Sequence, residues 1–316
     1  MNKSIRLYIK SMRPYLFFIT GISGWLGILF ANTSSSIPRQ IIVLSILFLS
    51  WGINQVINDL LGIEEDKINA PHRPIASGEL SKKHVLLFSI CLFALGAIAT
   101  YFLNPYALII YFCGYLFNII YEYCKGLPLL GNIWFGILIA VTPFYGALAV
   151  SKGDIISVLC NKDLIFIALF IALISSTMTF FTYFKDYSGD KQTGKKTLVV
   201  LLTPKKAKLL NFVASTIPFL VLFIVLFFNL WQPNTNLVFW ILIAIAFIIL
   251  QYTAFLYFKN PYGKATYYSL KWNFEGATMF QIAFMALINP LLSVIVFVIG
   301  FITVGYLFNL YKDPLM

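Results

Sequence analysis

The chain has 316 residues, 60% of them apolar and only 11% charged, with a formal net charge of +11. Soluble domains run at roughly 45–50% apolar and 25% charged, so this composition excludes a soluble globular enzyme. The surplus of Lys and Arg reads as cytoplasmic loops and contact with anionic lipid, and not as a nucleic-acid surface.

Lys3, Arg6, Lys10 and Arg13 precede the first apolar run. No small-residue cleavage site follows it, so the run reads as a retained span and not as a removed signal peptide. A membrane helix needs about 20 mostly apolar residues. Runs of that kind fall near 14–32, 40–60, 84–103, 106–123, 129–150, 163–184, 207–228, 237–258 and 291–311. Residues 265–288 are less clear, because the apolar part is short and Asn289-Pro290 interrupts. Helices are forced, since a bilayer offers no water to backbone groups and the period-two pattern of a barrel is absent. The expected fold is one membrane-embedded all-α domain over 1–316, a bundle of nine helices, or ten if 265–288 crosses.

Placing the N-terminus inside puts nineteen Lys and Arg on inside segments against three outside, Arg39, Lys152 and Lys162, with Lys312 depending on the last crossing. That asymmetry is a strong positive-inside signal. The four cysteines show no C-x-x-C spacing, and His72 and His84 flank a loop. A thiolate or imidazole metal centre and a disulfide framework therefore have no support.

Seven of the twelve carboxylates fall in two short stretches, Asp59, Glu64, Glu65, Asp66 and Glu79, then Asp186 and Asp190. Four spans separate the stretches, an even number, so both lie on the same face of the membrane. Asn54, Asn58, Gly62 and Asp66 recur every four residues, as do Asp186 and Asp190. If the helix continues, Asn58 and Asp66 share one face about 12 Å apart. The bland reading is a set of solvated loop charges. Against it, like charges one turn apart repel, ionisable groups at membrane depth are costly, and the loops at 33–39 and 229–235 carry no acid. Two facing acidic sets are stable with a cation between them, and oxygen-only ligands select a hard ion, most naturally Mg²⁺. Lys67, Arg73, Lys82 and Lys83 surround the first stretch, and Lys185, Lys191, Lys195 and Lys196 the second; Tyr121 and Lys125 sit on the inside loop between them. Carboxylates for Mg²⁺ beside cations for phosphate oxygens describe a diphosphate site. Set among apolar helices, it suits a lipid diphosphate.

These residues resemble the UbiA superfamily of intramembrane prenyltransferases. Asn58-Asp59-Leu60-Leu61-Gly62-Ile63-Glu64-Glu65-Asp66, followed by Arg73-Pro74-Ile75-Ala76-Ser77-Gly78, is similar to that family's NDxxDxxxD and R-P-[IL]-x-S-G signature. Asp186-Tyr187-Ser188-Gly189-Asp190 with Gly194-Lys195-Lys196-Thr197 resembles its DxxxD and G-x-K-[ST] signature, and Tyr121 to Lys125 its YxxxK. The resemblance implies helices around a central cavity open sideways to lipid, in which Mg²⁺ held by the two Asp motifs binds an isoprenyl diphosphate. It implies catalytic roles for Asp66, Asp186 and Asp190, metal binding by these with Asn58 and Asp59, and diphosphate binding by Asn58, Arg73, Tyr121, Lys125, Lys185 and Lys191. The allylic C–O bond would ionise and a lipophilic acceptor capture the cation in isoprenoid biosynthesis. Because Ile75-Ala76-Ser77-Gly78-Glu79 reads most like the homogentisate and chlorophyll branches, an aromatic acceptor is expected, a fold-level analogy. A bacterial inner membrane, with the site toward the cytoplasm and no nucleic-acid partner, is the expected location.

One position departs from the pattern: Gly62 stands where the family has the central Asp. Asp59 or Glu65 supplies the missing oxygen, or the site uses fewer metal contacts, or transfer is lost and the protein is a membrane carrier. The first reading is favoured, through Asp59. A terpene cyclase of the same fold is the enzymatic alternative.

Overall fold

The computed structural model describes residues 3–31, 34–151, 153–263 and 265–311. Asn32, which ends the first expected span, and Lys152, Lys264 and Lys312 of the charge count lie outside the described residues. In chain order the α-helices are α1 (Lys3–Met12), α2 (Phe17–Phe30), α3 (Ile37–Leu61), α4 (Ile63–Asn69), α5 (Lys82–Leu103), α6 (Ala107–Cys124), α7 (Leu130–Ala140) and α8 (Thr142–Val150). They continue with α9 (Ile155–Leu159), α10 (Lys162–Gln192), α11 (Leu198–Ala214), α12 (Ile217–Phe227), α13 (Leu237–Lys259), α14 (Ala265–Ala283) and α15 (Pro290–Tyr311). No strand occurs among the described residues.

Helix starts follow side-chain capping. Ser81, Asn161, Thr197 and Asn236 each accept a bond from the backbone N–H three residues on, the position an N-cap side chain serves. Breaks follow local chemistry as well. Thr203, before Pro204, has φ 64° and kinks α11. Arg13, at φ 52°, separates α1 from the 3₁₀ turn Pro14–Leu16 and from α2. Gly62, at φ −95° and ψ 28°, divides α3 from α4. The single uninterrupted helix that would align Asn58, Gly62 and Asp66 is therefore bent at the glycine, although the 2.8 Å bond from Gly62 N–H to the Asn58 carbonyl and the 3.1 Å bond from Asp66 N–H to the Gly62 carbonyl preserve the helical path.

Among the described residues, nine helices or joined helix pairs are long and apolar enough to cross a membrane, making this an integral membrane protein. The ambiguous segment 265–288 also forms a helix, α14 extended by the 3₁₀ turn Phe284–Leu287, buried along nearly its whole length. Lys271, Asn273, Glu275 and Gln281 make its sequence less apolar than its neighbours, which is why its state is hard to read from hydropathy. It packs against α13, α10, α15 and α2. The core runs along α2, α10, α13 and α14 through Ile19, Leu26, Phe170, Ile174, Leu250 and Phe280.

α2 and α8 cross closely, and a Cβ added at Gly146 would fall against the Gly24 carbonyl oxygen. Overpacking costs about 1–3 kcal/mol. Gly146→Val is expected to lower the melting temperature in detergent by several degrees. Gly114→Ala, whose new methyl meets nothing closer than 3.9 Å, should leave it unchanged.

Candidate active site

Both acidic stretches meet at one end of the bundle, and a single side chain holds them together. Asn69, the last residue of α4, donates from Nδ2 to the Asp186 carbonyl at 3.2 Å and accepts at Oδ1 from the Gly189 N–H at 2.8 Å. Residue 189 must be glycine for this contact, since a Cβ there would overlap the Asn69 amide. A second tie, from Lys196 N–H to the Gly126 carbonyl at 2.9 Å, brings the segment after α10 beside the one after α6. The loop between α4 and α5 is anchored by buried Ile75 and Leu80. Its turns, from Arg73 N–H to the Ala70 carbonyl and from Ser77 N–H to the Arg73 carbonyl, fix where Arg73 sits.

Five of the six carboxylates at the cavity mouth are paired with a cation. Arg13 grips both oxygens of Asp59 at 2.6 and 2.9 Å, and Gln55 adds a 2.9 Å bond. Arg73 donates to Asp66 and lies 3.9 Å from Asp59. Lys195 meets Glu65 at 2.7 Å and Glu122 at 3.7 Å; Lys125 pairs with Glu122, and Lys185 with Asp186. Asn58 and Asn118 exchange reciprocal amide bonds of 3.0 and 2.9 Å. Removing one partner of such a buried pair strands the other charge, which costs more than the pair itself contributes. Burial alone would push Asp66 up, but the nearby Arg73 and Arg13 and the bond from Arg73 outweigh it and hold its carboxyl below the usual range.

Below this charged end lies a cavity enclosing about 1670 Å³ of empty space, its open mouth included. Asn58, Asp59, Glu65, Asp66, Arg73 and Asp186 are among the polar groups at the mouth, while Leu16, Leu47, Ile110, Leu138, Ile139 and Phe274 line the interior. Deeper hydroxyls are already satisfied: Tyr145 bonds Thr100 at 2.8 Å, and Tyr111 donates to the Phe93 carbonyl at 2.9 Å. The interior therefore offers an apolar sleeve, with its ionic chemistry confined to one end.

Of the residues expected at a diphosphate site, Asn58, Asp59, Asp66, Arg73, Tyr121, Lys125, Lys185, Asp186 and Asp190 all line this cavity. Lys191 does not; it is exposed, with its ammonium 5.8 Å from the Tyr187 ring. Each residue turns about 100° around a helix, so Lys191 points away from the face that carries Asp186 and Asp190. Three participants were not singled out by sequence reasoning: Arg13, Glu122, and Lys195 as the partner of Glu65. Glu122 carried a usable signal, since it is the only acid in α6 and lies three residues before Lys125.

Among the described residues, no three His, Cys, Asp or Glu side chains converge as a ready-made ligand set, because most of these carboxylates are turned toward cations. The donor chemistry nonetheless fits a hard divalent ion: all the donors are oxygens, and Glu122 keeps one buried oxygen, Oε2, without a hydrogen-bond partner.

A model described as the UbiA prenyltransferase family matches residues 18–275. The digeranylgeranylglyceryl phosphate synthase of Thermococcus kodakarensis is 32% identical over 222 residues, covering 67% of this chain and 77% of the relative. Among solved structures, the apo structure of a UbiA homolog from Aeropyrum pernix K1 matches with a TM-score of 0.71 at 16% identity, over 85% of this chain and 97% of that one. A UbiA homolog from Archaeoglobus fulgidus bound to GPP and Mg²⁺ matches with a TM-score of 0.61 at 17% identity, over 90% of this chain and 99% of that one.

The depressed Asp66 sets an acid limit on stability. Its contribution is complete above the ordinary carboxylate value of about 4 and is lost as pH falls through the lower folded value. In Arg73→Met the main opposing charge is gone, so the folded value of Asp66 moves back toward or past the ordinary one and this acid-sensitive contribution shrinks. Melting temperatures in detergent, followed from pH 7 down to about pH 2.5, should fall less steeply on acidification in the variant than in the wild type. An acid limb as steep as that of the wild type would mean that the ion pair does not govern Asp66.

Proposed function

Since this chain belongs to the UbiA prenyltransferase family, we propose that it carries out Mg²⁺-dependent transfer of a geranylgeranyl group from its diphosphate to the free hydroxyl of geranylgeranylglyceryl phosphate. The observation that carries this reading is the junction of the two Asp motifs, clamped by Asn69, over an otherwise apolar cavity. Relatives named digeranylgeranylglyceryl phosphate synthase support the choice of acceptor. The aromatic acceptor expected from residues 75–79 has no counterpart in those names, and a five-residue loop reading is a weak guide to a pocket built by many helices.

Asn58, Asp66, Asp186 and Asp190 are the residues that would hold Mg²⁺, which when bound supplies positive charge to the leaving diphosphate oxygens. Arg73, Lys125 and Lys185 exchange carboxylate partners for phosphate oxygens, forming charge-assisted bonds of the stronger kind. The C–O bond at the allylic carbon breaks and its electron pair leaves with the diphosphate. The acceptor hydroxyl oxygen then bonds that carbon to form an ether, and its proton is released. Leu47, Ile110, Leu138 and Ile139 keep the reacting end of the chain in a dry environment, which prevents water from capturing the cation first.

Purified protein in detergent, given geranylgeranyl diphosphate and Mg²⁺, should yield digeranylgeranylglyceryl phosphate when geranylgeranylglyceryl phosphate is supplied. It should yield nothing with 4-hydroxybenzoate. A prenylated aromatic product, or a cyclic hydrocarbon formed without acceptor, would overturn the assignment. Asp186→Ala and Asp190→Ala should each lower turnover by more than about 100-fold, and Asp190→Ala, which breaks no ion pair, should keep a melting temperature close to that of the wild type.

A further inference from the structure

At the bend between α3 and α4, the place where a side chain at position 62 would project is filled from another helix. A Cβ built on Gly62 would lie 3.2 Å from Glu122 Oε1 and 3.1 Å from Lys125 Nζ. Glu122 belongs to α6, lines the cavity and is 8% exposed at its side chain. Its Oε1 accepts from Lys125, while Oε2 is buried with no hydrogen-bond partner. A buried carboxylate oxygen without a partner is costly, and coordination to a cation satisfies it. The other nearby candidates are committed elsewhere: Asp59 to Arg13 and Gln55, and Glu65 to Lys195.

We infer that Glu122 is the carboxylate that takes the place of the missing side chain at position 62, completing the Mg²⁺ ligand set from α6 with its free Oε2. This rests on the proposed reading of the site as one for Mg²⁺ and diphosphate. The glycine and the glutamate are then two halves of one arrangement. A side chain at Gly62 would crowd the Lys125–Glu122 pair, and Glu122 supplies the oxygen that Gly62 does not bring. Lys125 holds Glu122 through Oε1 before diphosphate binds and turns to the phosphate oxygens afterwards, leaving both Glu122 oxygens to the metal.

The arrangement predicts reciprocal behaviour that a purely structural ion pair would not produce. Binding of Mn²⁺ to the full-length protein in detergent, with inorganic diphosphate present, is followed by electron paramagnetic resonance, so that the readout is independent of turnover. Glu122→Gln should weaken Mn²⁺ binding by about tenfold or more. Gly62→Asp alone should also weaken it, because a second carboxylate is forced against the Lys125–Glu122 pair. Combining Gly62→Asp with Glu122→Gln should return affinity to within about threefold of the wild type, since one carboxylate again stands beside Lys125. Wild-type affinity in Glu122→Gln, or a double variant no tighter than Glu122→Gln, would overturn the inference. If Glu122→Gln does not fold, the double variant decides alone. Failure of both to fold also counts against the inference, because a carboxylate at 62 would then not replace the one at 122. A wild-type protein that binds no Mn²⁺ would instead defeat the underlying reading of the site.

Discussion

Six carboxylates line the mouth of a cavity built almost wholly from apolar helices, and the architecture depends on their being neutralised there. Isolated charges at the edge of a low-dielectric region are expensive, so the chain supplies Arg13, Arg73, Lys125, Lys185 and Lys195 to meet five of them. Burial penalises each ion, and the pairing offsets that penalty without making the cluster a strong source of stability. What the cluster provides is a set of groups that can change partners. Cations that now face carboxylates suit phosphate oxygens, and carboxylates that now face cations suit a divalent metal.

That exchange requires the two acidic stretches to be held at a fixed separation, and the backbone does so with little material. Asn69 bonds both ways to α10, Gly189 allows the approach, and Arg13, in a left-handed conformation, leads from α1 into the turn that begins α2 while reaching Asp59. These contacts lie at one end, so the rest of the bundle is free to be apolar. The hydroxyls of Tyr111 and Tyr145 are bonded within the wall and do not compete for the ligand. Rigid chemistry at the mouth and a hydrophobic interior are thus separate features of the same helices.

Much of this was legible in the sequence because it depends on short spacings. Helical repeats at Asn58 and Asp66 and at Asp186 and Asp190, with apolar runs on either side, sufficed to place these acids at one end of a helical bundle. Arg13 was not legible as the partner of Asp59, because the two are 46 residues apart and their meeting depends on how α1 packs. Lys191 was misleading for the opposite reason: it is close in sequence but turned off the shared face. The helix break at Gly62 follows from glycine's poor helix propensity, yet the side chain that fills the gap comes from α6, which no local pattern encodes. α14 was ambiguous because its polar residues are buried by neighbouring helices, a tertiary effect that hydropathy does not register. The acceptor was the least legible feature, since many helices together shape the pocket that selects it.

The central claim is that metal and diphosphate bind together where the two Asp motifs meet. Electron–nuclear double resonance of Mn²⁺ in the protein, with inorganic diphosphate added, measures this directly through coupling between the metal and phosphorus. The account predicts a strong ³¹P coupling in the wild type that disappears in Asp186→Ala. Mn²⁺ bound without ³¹P coupling, or coupling that survives Asp186→Ala unchanged, would contradict it.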